Sequence, residues 1–232
     1  MNVNISVKEL ASMIDNTDLR VNITKGDLKK LCEESIKYGF KAIAINHYPI
    51  PYCKQLLSGT GVGIVTGISY PLGTNTLEEK LFETKHTIEI GATEIDYVIN
   101  ISELKVGNYD YMKNEMKEIL DICRQKNVLC KVILETYYLT NDEIEAMCEI
   151  AAEIKPDFIK TSTGQIKGGG AQVEHVRLIK KALDYSNSTV QVKTAGEIRT
   201  LDDVFKMIEA GATRIGTSSG DKIMEEYMER FK

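Results

Sequence analysis

Eight short β-rich runs, interleaved with longer amphipathic runs over 232 residues, predict an α/β fold: a single (β/α)8 TIM barrel occupying residues 1–232. The strand-like runs are SMIDNT (12–17), KAIAIN (41–46), VGIVTGI (62–68), EIDYVIN (94–100), LCKVILE (129–135), DFIKTS (157–162), VQVKTA (190–195) and RIGTS (214–218). They leave about 29 residues per unit, the size of one strand with one helix, and no Pro/Ser-rich linker marks a second domain. An open doubly wound sheet usually carries a glycine-rich turn after its first strand, and SMIDNTDLRVNIT has none.

The helical segments follow in order as DLKKLCEESIKYG, TLEEKLFETKHTIEIG, YDYMKNEMKEILDICRQ, NDEIEAMCEIAAEI and LDDVFKMIEAG, several ending in the glycine expected just past a helix. The terminal MEEYMERFK reads as an amphipathic helix, suited to packing or to a dimer contact, and a homo-oligomer is expected. With 43% hydrophobic residues the chain can bury a full core. A net charge of -5 argues against nucleic acid or an anionic membrane as partner and favours a small soluble substrate. Five cysteines without CxxC spacing indicate neither a disulfide framework nor a zinc site, so reduced thiols and a cytoplasmic location are expected. The N-terminus has no uninterrupted apolar stretch of the secretory type, and no run approaches a membrane span.

Strand parity sorts each run into an interior set and a helix-facing set. In EIDYVIN the apolar Ile95, Tyr97 and Ile99 share one face, which leaves Asp96, Val98 and Asn100 pointing in. The same sorting sends Lys131, Ile133 and Glu135 inward, with Phe158, Lys160 and Ser162, Gln191 and Lys193, Asp15 and Thr17, and Asn46. Three acids (Asp15, Asp96, Glu135) therefore face three lysines (Lys131, Lys160, Lys193), near the C-terminal ends of strands where barrel active sites form. Unpaired, each would cost several kcal/mol, so they pair, do chemistry, or both. A self-neutralising network that merely fills the barrel is the competing reading, but it would alternate signs rather than place two lysines on adjacent strands.

Two ammonium groups about 6 Å apart at an effective dielectric near 20 repel by roughly 2–3 kcal/mol, or about two pKa units. Burial pushes the same way. Lys160 or Lys193 is thus a candidate nucleophile that forms a Schiff base with a carbonyl, and Asp96 is placed to move the proton when the adjacent bond breaks. This is the chemistry of a metal-independent aldolase, in keeping with the lack of HxH or HExxH pairs. Glycine-bearing segments after the last three strands, TGQIKGGGAQ (163–172), AGEIRT (195–200) and GTSSGDK (216–222), supply backbone N–H groups for an anion.

In order along residues 10–225, MIDNTDL, EIDYVINISELKVGNY, IKTSTG, VKTAGEIRT and GATRIGTSSG resemble the deoxyribose-phosphate aldolases. The resemblance implies reversible cleavage of 2-deoxy-D-ribose 5-phosphate to acetaldehyde and D-glyceraldehyde 3-phosphate, with no metal and no organic cofactor. It implies Lys160 as the Schiff-base lysine, Lys193 as the neighbour that perturbs it and Asp96 as the proton-relay acid. It further implies phosphate contacts at Gly164, Gly196, Gly216, Ser218 and Ser219, and a pocket lined by Asp15, Lys131 and Thr161. Its partners are then a sugar phosphate and aldehydes.

Three positions depart from the family pattern. Glu197 stands where a glycine of the phosphate loop is usual, and would repel a dianion unless it points to solvent with a negative φ and offers its N–H; Lys167 could offset its charge. Asn16 and Asp18 alter the early DHTLL-like motif, and Ala44 replaces a frequent cysteine. These changes bear on the substrate rather than on the iminium chemistry. A Schiff-base aldolase with a non-phosphorylated acceptor and a non-catalytic sugar-phosphate-binding barrel are the competing functions. His47, His86 and His175 are expected in solvent-exposed or capping roles, and Cys130 and Cys148 as core or helix-face thiols.

Overall fold

The computed structural model describes residues 5–231. Its strands are β1 (Ile14–Thr17), β2 (Ala42–Ala44), β3 (Gly63–Ile68), β4 (Glu94–Val98), β5 (Leu129–Ile133), β6 (Phe158–Lys160), β7 (Gln191–Ala195) and β8 (Arg214–Thr217). All pair in parallel in chain order, and β8 closes onto β1, giving the barrel that the run count predicts. The helices are α1 (Val7–Ser12), α2 (Lys25–Tyr38), α3 (Ile50–Leu56), α4 (Leu77–Ile90), α5 (Ile101–Lys105), α6 (Tyr109–Gln125), α7 (Asn141–Ile154), α8 (Val173–Tyr185), α9 (Leu201–Glu209) and α10 (Gly220–Arg230).

Local chemistry sets the helix starts. Thr24 with Asp27, Thr76 with Glu79, Thr140 with Glu143 and Thr200 with Asp203 each exchange side-chain and backbone hydrogen bonds, satisfying otherwise orphaned amides at the heads of α2, α4, α7 and α9. Around the barrel, Ile14, Ile43, Ile95, Tyr97, Val132, Ile159, Val192 and Ile215 form the apolar layer against the helices. The opposite parity carries the charges inside.

Four strands stop two residues short of the expected ends, at Ala44, Val98, Ile133 and Lys160. Polar residues there leave the ladder for local partners. Asn100 caps α5, Glu135 turns to φ 52° and Asn46 donates to the Leu19 carbonyl at 3.3 Å. Gln191, expected to face in, is exposed at the start of β7 and accepts from Thr213, 3.0 Å away.

Candidate active site

Register brings the charges together, because Asp96 pairs with Lys131, Ile133 with Lys160, and Lys160 with Lys193 across β4 to β7. Asp96 Oδ2 accepts from both Lys160 Nζ at 2.8 Å and Lys193 Nζ at 2.7 Å. The two amines therefore lie no farther apart than the sum of those distances. Asp96 Oδ1 accepts from Lys131 Nζ at 2.8 Å, and Lys131 reaches Glu94 at 2.6 Å. Glu94 then meets Arg214 at 2.7 Å, Arg214 Nε meets Asp15 at 2.7 Å, and Asp15 returns to Lys193 at 2.6 Å.

Asp96, Lys131, Glu94, Arg214, Asp15 and Lys193 thus form a closed ring of six alternating charges, self-neutral and almost wholly buried. Lys160 hangs from this ring as a seventh, surplus group. Burial pushes its ammonium down to about 8, with Lys193 and then Lys131 adding repulsion that the contact with Asp96 only partly offsets. Desolvation, rather than the charge of Lys193 emphasised by the sequence reading, is the leading cause. Burial opposes charge on Asp96 too, but Lys131, Lys160 and Lys193 together hold its carboxyl well below the usual range. Asp15 is lowered by Lys193 and Arg214 against the same opposition.

A cavity of about 1020 Å³ opens above Lys160, Asp96 and Lys193. Small inward residues make the room. Ala44, Gly67, Ala195 and Gly216 line it where larger side chains would fill the barrel mouth. Asp15, Lys131 and Thr161, expected along the wall, are instead fully buried and do not line it. Glu135, expected among the inward acids, lies off the end of β5 and binds the Thr163 amide at 3.1 Å and the Thr163 hydroxyl. Glu94 takes its place in the ring.

Glu94 and Arg214 open their runs and so read as strand ends in the sequence, although each shares parity with a residue expected in the site, Asp96 and Gly216. Tyr70, in the loop after β3, carries no periodic signal in the sequence. Its hydroxyl donates to the Thr163 carbonyl beside the cavity, and burial raises it above the ordinary tyrosine range. His47 also lines the cavity rather than standing in solvent, with Nε2 2.6 Å from the Gly67 carbonyl oxygen.

In the loops after β6 and β7, Gly164 and Gly196, with φ of 80° and 86°, approach so closely that a Cβ on Gly196 would lie 3.0 Å from the Gly164 Cα. Only glycine fits both demands. Gly216 and Ser218 also line the cavity, whereas Ser219 does not and donates its N–H to Thr217 Oγ1 at 3.0 Å. Glu197 has φ of 61°, not the negative value expected, and its carboxylate accepts from the Gly168 N–H at 3.0 Å. Lys167 and Arg199 stand at this rim, and neither forms an ion pair among the described residues.

Residues 10–226 match the model of the family described as DeoC/LacD family aldolase. Deoxyribose-phosphate aldolase of Lactobacillus acidophilus is 48% identical over 98% of this chain and 94% of its own length. The enzyme of that name from Bacteroides thetaiotaomicron is 47% identical over 99% and 94%. Among solved structures, the tetrameric deoxyribose phosphate aldolase of Aeropyrum pernix superposes with a TM-score of 0.87 at 30% identity, covering 97% of this chain and 93% of that one. With an amine-bearing barrel mouth and a family match over nearly its whole length, the chain belongs to the DeoC/LacD family of aldolases.

Proposed function

We propose that this chain is a class I aldolase that reversibly cleaves 2-deoxy-D-ribose 5-phosphate to acetaldehyde and D-glyceraldehyde 3-phosphate, and that residues 1–232 are one catalytic barrel. The observation that carries this is the surplus amine of Lys160, held on the same carboxylate oxygen as Lys193 at the cavity floor. Uncharged, Lys160 adds to the C1 aldehyde, and loss of water gives an iminium. As the 3-hydroxyl gives up its proton, the C2–C3 bond breaks; its electron pair flows into the iminium to form an enamine, and glyceraldehyde 3-phosphate leaves. Protonation at C2 and hydrolysis release acetaldehyde and restore the amine.

Asp96, kept ionised by three cations, is a weak base alone, so it relays protons together with Lys193. The 5-phosphate sits against Gly164, Gly196, Gly216 and Ser218, with Lys167 and Arg199 supplying charge. Asp15, Lys131 and Thr161 support the floor from below, and Ser219 acts through Thr217. The terminal helix α10 and a cytoplasmic setting complete the proposal; no described helix is long and apolar enough to cross a membrane. The chain assembles as a homodimer, which light scattering after gel filtration tests.

Borohydride reduction with acetaldehyde, followed by mass spectrometry, is expected to place one adduct on Lys160 and none in Lys160→Ala. An adduct elsewhere, or none, refutes the assignment. The Glu197 carboxylate on the Gly168 amide favours a second reading, in which an unphosphorylated acceptor is used. Equal turnover of deoxyribose with and without its 5-phosphate would establish it.

A further inference from the structure

Within the proposed Schiff-base reading, one part of the buried cluster has no assigned task. Glu94 and Arg214 lie at the first positions of β4 and β8, outside the cavity, yet they are the links through which the ring closes. Arg214 fixes two carboxylates at once, Asp15 through Nε and both Glu94 oxygens through Nη2, each at 2.7 Å. Its guanidinium also stands 5.9 Å from the centre of the Phe158 ring, on the strand that ends at Lys160. Such a fork leaves little freedom to rearrange.

We propose that Glu94 and Arg214 are positioning residues that close the ring to neutrality, leaving Lys160 as its one unmatched ammonium and so the group that gives up its proton for catalysis. Around Lys160 the charged groups are Asp96 from β4, Lys131 from β5, Glu135 from the segment after β5 and Lys193 from β7. Each of Asp96, Lys131 and Lys193 is already matched within the ring, and Glu135, pushed toward neutrality by burial, is engaged by the Thr163 amide and hydroxyl. Removing one sign from the far side of the ring therefore shifts the balance felt at Lys160 without touching substrate.

The sign is determined by which charge is lost. Arg214→Gln leaves the ring one negative charge in excess, favours the Lys160 ammonium and moves the acid limb of the kcat/KM profile up. Glu94→Gln leaves it one positive charge in excess and moves the limb down. Each shift is expected to be about one pH unit, the order of one uncompensated charge acting across the ring in a partly polar interior. The double variant Glu94→Gln with Arg214→Gln restores neutrality and returns the limb to its wild-type position. A merely structural pair would instead give its largest disturbance there.

The test is the pH profile of retro-aldol cleavage of 2-deoxyribose 5-phosphate by the four full-length proteins, with borohydride trapping on the wild type run in parallel. Opposite shifts in the single variants and recovery in the double support the proposal. Shifts of the same sign, or a double variant farther from wild type than either single, overturn it. Absence of a wild-type adduct on Lys160 would refute the Schiff-base reading itself, which separates that failure from this one. If Arg214→Gln does not fold, Arg214→Met carries the same sign; if Glu94→Gln does not, Asp15→Asn does.

Discussion

Two buried lysine clusters lie on either side of β4. Outside it, Lys80 of α4 and Glu115 of α6 meet at 2.6 Å with both side chains fully buried. Lys80 also donates to the Val98 carbonyl at 2.9 Å, and Glu115 accepts from the Asn100 N–H at 3.2 Å, so the pair clamps the end of the strand that carries Asp96. Inside it stands the ring with Lys160. The outer pair is balanced one to one, anchored on backbone and sealed. The inner cluster holds one cation too many and opens to a cavity of about 1020 Å³. Burial moves both members of the outer pair toward neutrality, each resisted by its partner, yet neither opens to the cavity where a substrate carbonyl could enter. The proposed reactivity of Lys160 thus rests on imbalance and access together.

The same substitution made in both places separates these roles. Lys160→Met should lower retro-aldol turnover by at least about 10⁴-fold while leaving stability unchanged or slightly raised, because the ring it leaves is neutral. Turnover assays and urea unfolding read the two effects. Lys80→Met should do the reverse, leaving Glu115 unpaired at a cost of about 3–5 kcal/mol, with the acid limb of the rate profile unmoved. A cost below about 1 kcal/mol would mean that the pair carries little charge.

A third expectation concerns pH. In the proposed reaction the form of Lys160 that attacks is the free amine, which grows as pH rises through about 8. Turnover should therefore fall nearly tenfold per unit below that point, about 100-fold by pH 6, and level off above it. A profile flat from pH 6 to 9 would deny the lowered ammonium.

The smallest effect is at the rim. Glu197→Gly should raise kcat/KM for the 5-phosphate about fivefold by removing a carboxylate worth about 1 kcal/mol against a dianion, and leave unphosphorylated deoxyribose unaffected. The left-handed backbone at φ 61° should also relax, adding about 1 kcal/mol of stability in urea titration. Gains on both sugars alike would assign the effect to loop order rather than charge.

The barrel and four of the six ring members were legible in the sequence because strands have period two: Asp15, Asp96, Lys131 and Lys193 fall on the inward parity of their runs. Parity fails at strand ends, where the ladder no longer dictates direction. The inward rule misplaces Glu135, past the end of β5, and Gln191, at the start of β7, while Glu94 and Arg214, which open β4 and β8, lie in the ring. Tyr70 and His47 sit in loops after β3 and β2, whose course no periodicity specifies.

By itself, the sequence determined the number and order of strands, the helix caps and the inward parity of the strand interiors, since these depend on near neighbours in the chain. Closure decided the rest. Only when β8 meets β1 does Arg214 come beside Asp15, 199 residues away in sequence, and complete a neutral circuit. Electrostatic energy in a buried cluster depends on all its members at once. Which amine is left over is therefore a property of the closed ring and cannot be read from any one strand.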